Sequence, residues 1–231
     1  MSPQATHVNA QVVIYQDLVP YREGLHLQDD LVVKRQADEI PDTLLMLEHT
    51  PVITLGIRAK QEHVLLSPEV LSKQGIEVVE TPRGGDVTYH GPGQLVLYPI
   101  MKLTGAEADA HAFVNRLEDI AILTADAFQI HAYRRKGKTG VWTNDGKLAA
   151  IGVRFKKWVS SHGMSFNVEP DLAGFGTIIP CGLHGERVTS LKAIMGDRCP
   201  SLREVRAVMM RQFERVMNRT LLVTPEPDRC R

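Results

Sequence analysis

Cysteine is scarce in this sequence, and its few occurrences are poorly spaced for structural roles. The 231 residues contain three, Cys181, Cys199 and Cys230, and no C-x-x-C pair. An odd count without that spacing argues against a disulfide framework and against a zinc cluster. Long apolar runs are also missing. The longest uncharged stretch, 87–101, is interrupted by two prolines and two glycines, so it is no membrane span of about 20 apolar residues.

Neither sign of charge dominates the composition. Lysine plus arginine and aspartate plus glutamate both number 27, which gives a formal net charge of zero. No bulk attraction to nucleic acid or to a membrane surface follows from that balance. The N-terminal sequence MSPQATHVNA has neither the basic nor the apolar region of a secretory signal. We therefore expect a folded cytoplasmic protein that binds neither nucleic acid nor membrane.

Short apolar runs outnumber the helical patterns along the chain. Helices are predicted at 20–37, 68–74, 111–128 and 201–217, the last opened by the capping-box pair Ser201 and Glu204. Strands are predicted at 11–16, 43–48, 52–55, 77–80, 95–101, 130–133, 140–143, 148–155 and 159–168. Strict alternation of strand and helix is absent, which favours an α+β fold with a mixed β-sheet flanked by helices. No linker or repeat marks a boundary, so residues 1–231 are predicted to form one domain.

The most unusual segment is 83–94, with the sequence RGGDVTYHGPGQ. Its four glycines and one proline, between predicted strands, indicate a tightly shaped loop. The loop is either a simple hairpin turn or a ligand-binding loop that offers backbone N–H groups. Arg83, Tyr89 and His90 beside the glycines favour the second interpretation. The patterns GxxxxGK[ST] and GxGxxG are both absent, which disfavours a phosphate-binding loop.

Three reactive side chains lie further along the chain. Cys181 stands between a proline and a glycine on a predicted turn, and it is either a nucleophile or an inert cysteine. Lys147 precedes the small apolar run 148–151, where desolvation would lower its pKa, although most lysines at strand ends are solvated. His162 is either a base or a hydrogen-bonded core histidine. The residues alone leave each alternative open.

Taken in order, these segments resemble one family, the lipoyl(octanoyl) transferases, which move an octanoyl chain from acyl carrier protein to lipoyl-domain proteins. The resemblance rests on RGGDVTYHGPGQLVLYP, GVWT, GKLAAIGVR, HGMSFNV and IIPCG. The upstream LEHTPVITLG and the downstream VTSL extend it over residues 11–191. Two departures, Thr50 where proline is more usual and Ile57 after the TLG turn, lie outside the catalytic segments.

The resemblance implies a fold related to biotin and lipoate ligases, a catalytic pair and no cofactor or metal. In that pair Cys181 is the nucleophile that carries the acyl group, and Lys147 is the base that activates it. The implied acyl pocket consists of Arg83, Gly84, Gly85, Asp86, Val87, Thr88, Tyr89 and His90, of Ala150, Ile151 and Gly152, and of His162, Gly163, Met164 and Ser165. The implied donor is octanoyl-acyl carrier protein. The implied acceptors are the lipoyl domains of 2-oxoacid dehydrogenase complexes and the glycine cleavage H protein.

Acyl transfer from a thioester to an amine explains the need for these residue types. Cysteine forms a second thioester, and a neutral lysine takes the thiol proton. The oxyanion needs backbone donors, for which Gly182 and the loop at 84–85 are both candidates. An octanoyl tail needs an apolar tunnel, and its six methylenes contribute ~5 kcal/mol at ~0.8 kcal/mol each. Because the donor is already activated, the reaction requires neither ATP nor metal.

Two other classes of protein share parts of this pattern. An ATP-dependent lipoate or biotin ligase would have the same fold, but it would need a nucleotide loop and no Cys181. A non-catalytic lipoyl-handling module would keep the glycine-rich loop and have no use for a Cys–Lys pair. For the transferase, acidic carrier proteins predict a local basic patch, either at 134–138 or at 154–157, unless those charges are merely solvated.

Overall fold

The computed structural model describes residues 8–179 and 186–226, and these residues form two sheets flanked by helices. Cys181 and Cys230 lie outside the described residues. The helices are α1 (Tyr21–Gln36), α2 (Pro68–Lys73), α3 (Ala110–Asp126), α4 (Leu191–Met195) and α5 (Leu202–Met217). The strands are β1 (Val8–Ile14), β2 (Thr43–Leu47), β3 (Val52–Leu55), β4 (Glu77–Glu80), β5 (Val87–His90), β6 (Gln94–Ile100), β7 (Tyr133–Arg135), β8 (Lys138–Thr143), β9 (Gly146–Lys156), β10 (Val159–Asn167) and β11 (Arg219–Thr224).

The larger sheet has eight strands in the order β11-β1-β2-β6-β10-β9-β8-β7. Strand β1 is parallel to both of its neighbours, and the other neighbouring pairs in this sheet are antiparallel. The smaller sheet has the order β4-β3-β5, with β3 parallel to β4 and antiparallel to β5. The predicted α+β fold with a mixed sheet is thus confirmed.

The large sheet is buried on both faces, as strand β2 illustrates. Leu44 and Met46 pack into the main core with Phe113 of α3 and Phe213 of α5. Leu45, on the opposite face, packs in a second cluster together with partly buried leucines of α1. Because side chains alternate along a strand, a strand that is covered on both faces reads as a continuous apolar run. Helix α1 therefore covers one face, and α3 with α5 covers the other.

Helix α5 begins with the capping box that the sequence predicts. Ser201 Oγ accepts the N–H of Glu204 at 3.3 Å, and Glu204 Oε2 accepts the N–H of Ser201 at 2.8 Å. Two orphan donors of the first turn are satisfied in this way. No helix in the two described ranges has both the length and the apolar character that crossing a bilayer requires.

The strand predicted at 130–133 is wrong, because the end of α3 uses these residues. Gln129 adopts a φ of +61°, and the N–H of Ile130 turns back to the carbonyl of Ala125 at 3.0 Å. Residue 130 thus closes the helix instead of starting a strand, and β7 begins only at Tyr133. Strand β11 is absent from the predicted set. It lies at the edge of the large sheet beside β1.

The segment 83–94 is only in part the loop that its glycines predict. Residues 87–90 form β5, which pairs with β3 and places His90 opposite Val52. The loop character is confined to residues 83–86 and to the turn between β5 and β6. The β-branched and aromatic residues Val87, Thr88 and Tyr89 account for the strand.

Candidate active site

A cavity of about 770 Å³ is lined by strands of both sheets. Lys147 lines it, and so do all the predicted pocket residues except Tyr89, namely Arg83, Gly84, Gly85, Asp86, Val87, Thr88, His90, Ala150, Ile151, Gly152, His162, Gly163, Met164 and Ser165. Segments that are distant in the sequence therefore meet around one volume, referred to below as the active-site cavity.

Tyr89 faces away from this cavity. Alternation along β5 puts it on the strand face opposite Thr88 and His90. Its ring packs edge-on against Phe175, with ring centres 5.4 Å apart, and only 5% of the residue is exposed. A Cβ on Gly174 would overlap the tyrosine ring, so the glycine there allows this close packing. Tyr89 has the position of a core residue of the small sheet.

The glycines of the loop at 83–86 bring its backbone against strand β9. Gly84 donates its N–H to the carbonyl of Val153 at 3.0 Å. A Cβ on Gly152 would lie 2.6 Å from the carbonyl oxygen of Gly84, which leaves no room for a side chain there. Arg83 anchors the loop from the other side, since its guanidinium donates to the carbonyl oxygen of Thr54 at 2.6 Å.

Lys147 is held in a narrow slot near the start of β9. Only 7% of it is exposed, and its Nζ lies 5.4 Å from the centre of the Trp142 ring. A Cβ on Gly140 would lie 2.6 Å from Lys147 Cε, so glycine at 140 makes room for the lysine stem. The Lys147 backbone donates to Arg187 O at 2.8 Å and accepts from Thr189 N at 3.0 Å. The protonation state of this amine stays a prediction.

Glu118 supports this slot from helix α3. Its Oε1 accepts the N–H of Gly140 at 2.9 Å, and its Oε2 accepts Nε of Arg134 at 2.7 Å. Only 5% of Glu118 is exposed, so the carboxylate is buried, as is Gly140, whereas Arg134 reaches it from the surface. Gly140 has a φ of +115°, a conformation that side chains rarely adopt. Sequence reasoning missed Glu118, whose only signal is a charge beside the apolar stripe of α3.

The predicted nucleophile Cys181 and its neighbours 180–185 lie outside the described residues. The last residue described before them is Ile179, which donates its N–H to the carbonyl of His63 at 2.8 Å. The chain is described again from Glu186, which forms ion pairs with Arg135 at 2.6 Å and with Lys138. The chain before this interval is therefore bonded to His63, which lines the cavity. The chain after it is bonded to Lys147, whose N–H donates to the carbonyl of Arg187.

Cys199 is the cysteine that lies within the described residues. It is partly exposed near the start of α5 and does not line the active-site cavity. Burial raises the pKa of its thiol, which is the opposite of what an activated nucleophile requires.

His49 is buried beside the cavity and is neutral at ordinary pH. Burial lowers its pKa to about 4. Its Nδ1 lies 2.7 Å from the carbonyl of Val19, which only accepts, so Nδ1 carries the hydrogen. Its Nε2 therefore accepts from Tyr98 Oη at 2.7 Å. The pKa of the Tyr98 hydroxyl is raised well above its ordinary value, chiefly by burial.

His90 and His162 line the cavity and are neutral for the same reason. Burial lowers both pKa values to about 3, and the Arg83 guanidinium adds to the effect. His90 Nδ1 contacts Gln94 Oε1 at 2.6 Å, and the Gln94 amide donates to Asn167 Oδ1 at 2.9 Å. Such weakly basic imidazoles are poorly matched to proton transfer near pH 7. This disfavours His162 as a base, but the structure does not support a fully hydrogen-bonded core histidine either, because its buried Nδ1 has no hydrogen-bond partner among the described residues.

Sequence reasoning missed His63, a further histidine that lines the cavity. His63 Nδ1 lies 2.7 Å from Asp86 Oδ2, in a bent contact outside the angles of a regular hydrogen bond. Both residues line the cavity, and each is 8% exposed. The two residues are 23 positions apart, so no local pattern could have paired them.

The first of the two predicted basic patches is largely paired within the chain. Arg134 forms ion pairs with Glu118 at 2.7 Å and with Asp119 at 2.8 Å. Arg135 and Lys138 share Glu186. Much of the positive charge at 134–138 is therefore balanced locally.

The protein sequences that resemble this chain agree with its motifs. Residues 20–214 match the family model for the lipoyl protein ligase A/B catalytic domain. An octanoyltransferase from Caldicellulosiruptor saccharolyticus is 49% identical over 188 residues, covering 80% of this chain and 80% of the relative. An octanoyltransferase from Chloroflexus aurantiacus is 42% identical over 207 residues, covering 88% of this chain and 92% of the relative.

Solved structures support the same fold. A putative lipoate protein ligase from T. acidophilum with bound lipoic acid superposes with a TM-score of 0.77 at 14% identity, covering 96% of this chain and 90% of that one. Lipoate-protein ligase A bound with ATP gives a TM-score of 0.76 at 14% identity, with the same two coverages. The chain therefore belongs to the lipoyl protein ligase A/B catalytic domain family, and within it to the lipoyl(octanoyl) transferases that its motifs resemble. It is an acyltransferase.

Proposed function

We propose that this chain transfers an octanoyl group from octanoyl-acyl carrier protein to a lysine of lipoyl-domain proteins, through an acyl-thioester on Cys181. The observation that carries the proposal is the buried Lys147 at a cavity lined by the family's three pocket segments. The octanoyltransferases at 42–49% identity support the acyl group and the reaction class. The cytoplasmic location and the single domain of residues 1–231 remain part of the proposal.

Chain reach supports the pairing of Cys181 with Lys147. Cys181 follows Ile179 by two positions, and two residues of chain span ~7 Å at most. Ile179 is bonded to His63, which lines the same cavity as Lys147. On the other side, Arg187 and Thr189 are bonded to the Lys147 backbone.

In the first half-reaction, Lys147 in its neutral form takes the proton of the Cys181 thiol. The thiolate attacks the thioester carbonyl of the donor, and the carbonyl π electrons move to oxygen. Collapse of the tetrahedral intermediate breaks the carbon–sulfur bond of the donor. Lys147 then returns its proton to the departing thiolate, so that the donor leaves as a thiol and the lysine is neutral again.

In the second half-reaction, the amine of the acceptor lysine attacks the acyl-enzyme. The new carbon–nitrogen bond forms, the bond to Cys181 sulfur breaks, and Lys147 transfers a proton from the attacking nitrogen to the departing thiolate. The products are an octanoyl amide and the free thiol. The backbone N–H of Gly85 is the described candidate for holding the oxyanion, because the N–H of Gly84 already donates to the carbonyl of Val153.

The acyl chain binds along the apolar part of the cavity wall. Val96, Ile151 and Met164 line the cavity. The imidazoles of His90 and His162 are uncharged there, so an aliphatic chain meets no buried charge at those positions. Burial of six methylenes contributes ~5 kcal/mol.

Intact-mass measurement after mixing with octanoyl-acyl carrier protein tests the proposal. The expected result is a gain of one octanoyl mass, retained in Cys199→Ala and Cys230→Ala and lost in Cys181→Ser. An adduct on another cysteine would overturn the assignment of the nucleophile. Activity with free octanoate that requires ATP would instead indicate a ligase. Reversible binding without any adduct would indicate a non-catalytic module.

A further inference from the structure

His63 and Asp86 form a carboxylate–imidazole pair at the active-site cavity. Asp86 Oδ1 accepts the N–H of Val87 at 2.7 Å, which fixes the carboxylate, and its Oδ2 lies 2.7 Å from His63 Nδ1. A carboxylate beside one ring nitrogen favours the tautomer with hydrogen on that nitrogen and leaves the other as a base. Such contacts are often long or bent without substrate and tighten when substrate binds.

The pair itself is mostly buried, but the residues just before His63 in the chain are exposed. His63 ends the short turn Gln61–His63, and its exposed neighbours Lys60 and Glu62 also line the cavity. The backbone carbonyl of His63 accepts the N–H of Ile179, two positions before Cys181. The charged residues that line the same cavity as His63 are Arg58, Lys60, Glu62, Arg83, Asp86, Lys138 and Lys147, and Asp86 is the one in contact with the imidazole.

Proton balance in the second half-reaction leaves one proton without a described acceptor. The acceptor lysine arrives as an ammonium, R–NH₃⁺, and it must lose one proton before its nitrogen can attack. It loses a second proton after attack, when the amide forms. Lys147 hands one of the two to the Cys181 thiolate, which leaves as a thiol. The other must pass to solvent through a second base.

We propose that His63, oriented by Asp86, takes the first proton from the ammonium of the acceptor lysine and releases it to solvent. The inference rests on the proposed function. In the first half-reaction the single thiol proton moves only between Cys181, Lys147 and the departing thiol. His63 is therefore a catalytic residue of the second half-reaction alone.

The test separates the two half-reactions in His63→Gln. Rapid quenching and intact mass follow the loading of the enzyme from octanoyl-acyl carrier protein, and then transfer from the loaded enzyme to a lipoyl domain. We expect loading within about twofold of wild type and transfer slower by ~10²-fold. Asp86→Asn should slow transfer by a smaller factor, and added imidazole should restore transfer in His63→Gly. His26→Gln, at an exposed histidine of α1, is the matched control.

Each remaining outcome overturns the inference. Equal losses in loading and transfer would assign His63 to folding or to donor binding, and unchanged transfer would exclude a role in catalysis. A transfer defect that imidazole leaves unchanged would make His63 a structural residue. If wild type loads at Cys181 and only this prediction fails, the proposed function stands. If wild type never loads, both fall together.

Discussion

Ionisable groups differ between two parts of the cavity. The buried side contains His49, His90 and His162, and the other part, called the rim below, contains His63, Asp86, Lys138 and Lys147. On the buried side His49, His90 and His162 have depressed pKa values because burial is not offset by a carboxylate. At the rim, basic side chains have carboxylate partners, as in the contact of His63 with Asp86 and the ion pair of Lys138 with Glu186. Burial without a counter-charge produces neutral polar groups, whereas paired groups can keep a charge or exchange a proton.

The two parts of the cavity suit different steps of the proposed acyl transfer. The neutral side suits an aliphatic chain, because it offers uncharged walls next to Val96 and Met164. The rim suits the reacting groups, because proton transfer needs bases that remain connected to solvent. Lys147 differs from both groups. It is buried, as the histidines are, but it lies with the rim residues and not in the histidine cluster.

The largest expected effect follows from Lys147→Arg. Arginine keeps the positive charge but does not give up a proton near pH 7, so octanoyl transfer should fall by ~10²-fold or more. Steady-state turnover with a lipoyl domain measures it. Lys73→Arg on the exposed side of α2 is the control, and it should retain wild-type turnover. Turnover close to wild type in Lys147→Arg would remove this lysine from the role of base.

The neutral histidines predict loss of stability in acid. Their pKa values are about 4 for His49 and about 3 for His90 and His162 when folded, against about 6.5 when unfolded. The unfolded state therefore binds more protons below pH 6.5. The free energy of unfolding is highest above that pH and falls as the pH drops toward 4 and then 3. At pH 5 each histidine accounts for about 2 kcal/mol of the loss.

Chemical denaturation between pH 7 and pH 5 tests this with His49→Gln. The variant should be less stable than wild type at pH 7, but its stability should fall by about 2 kcal/mol less over this interval. His26→Gln should leave the wild-type slope unchanged. Parallel slopes for wild type and His49→Gln would show that His49 is not held neutral by the fold.

Gly140→Ala should disturb the rim by displacing Lys147. The added Cβ would lie 2.6 Å from Lys147 Cε and from the carbonyl oxygen of Ala149, at a φ of +115°. We expect turnover lower by about tenfold together with a loss of ~1–3 kcal/mol in stability. Gly75→Ala is the control, since Gly75 also has a positive φ but open space around it. It should lose stability and keep turnover. Equal turnover in both variants would show that Gly140 is not needed to position Lys147 for catalysis.

Local sequence patterns predicted the parts of this molecule that local interactions determine. The capping box at Ser201 and the apolar run of β2 are visible in short windows, and both are present in the structure. The strand predicted at 130–133 is an exception, because the apolar residues there favour a strand while a local turn ends α3, with the N–H of Ile130 donating to the carbonyl of Ala125. A window that scores β-propensity does not detect such a closing turn.

The residues of the candidate site show the same contrast between local patterns and long-range contacts. The pocket segments were found because each carries a motif in the sequence. His63 and Glu118 were missed, and so was the pairing of His63 with the expected pocket residue Asp86, because these contacts join residues that are distant in the chain. Glu118 binds Gly140 across 22 positions, and a charged residue on a helix ordinarily indicates a solvated face. Only the fold reveals that these acids support the groups proposed to react.

The smallest expected effect concerns donor docking at 134–138. Neutralising Arg134 would mix docking with chemistry, because Arg134 pairs with the Glu118 that holds Gly140. Lys136→Glu changes an exposed charge of the same hairpin without breaking those bonds. We expect the association rate with octanoyl-acyl carrier protein to fall about threefold at low salt, and the difference to vanish at high salt.

The control for this prediction is a donor without the protein. The rate with a free octanoyl thioester should be the same in Lys136→Glu and wild type, and Lys73→Glu should match wild type with both donors. Stopped-flow measurement at two ionic strengths provides these rates. An equal loss with both donors would mean that Lys136 supports folding or chemistry. No loss with either would place the carrier protein elsewhere, and the second basic cluster, at 154–157, would become the surface to test. The paired charges at 134–138 would then serve only to hold the rim around Lys147.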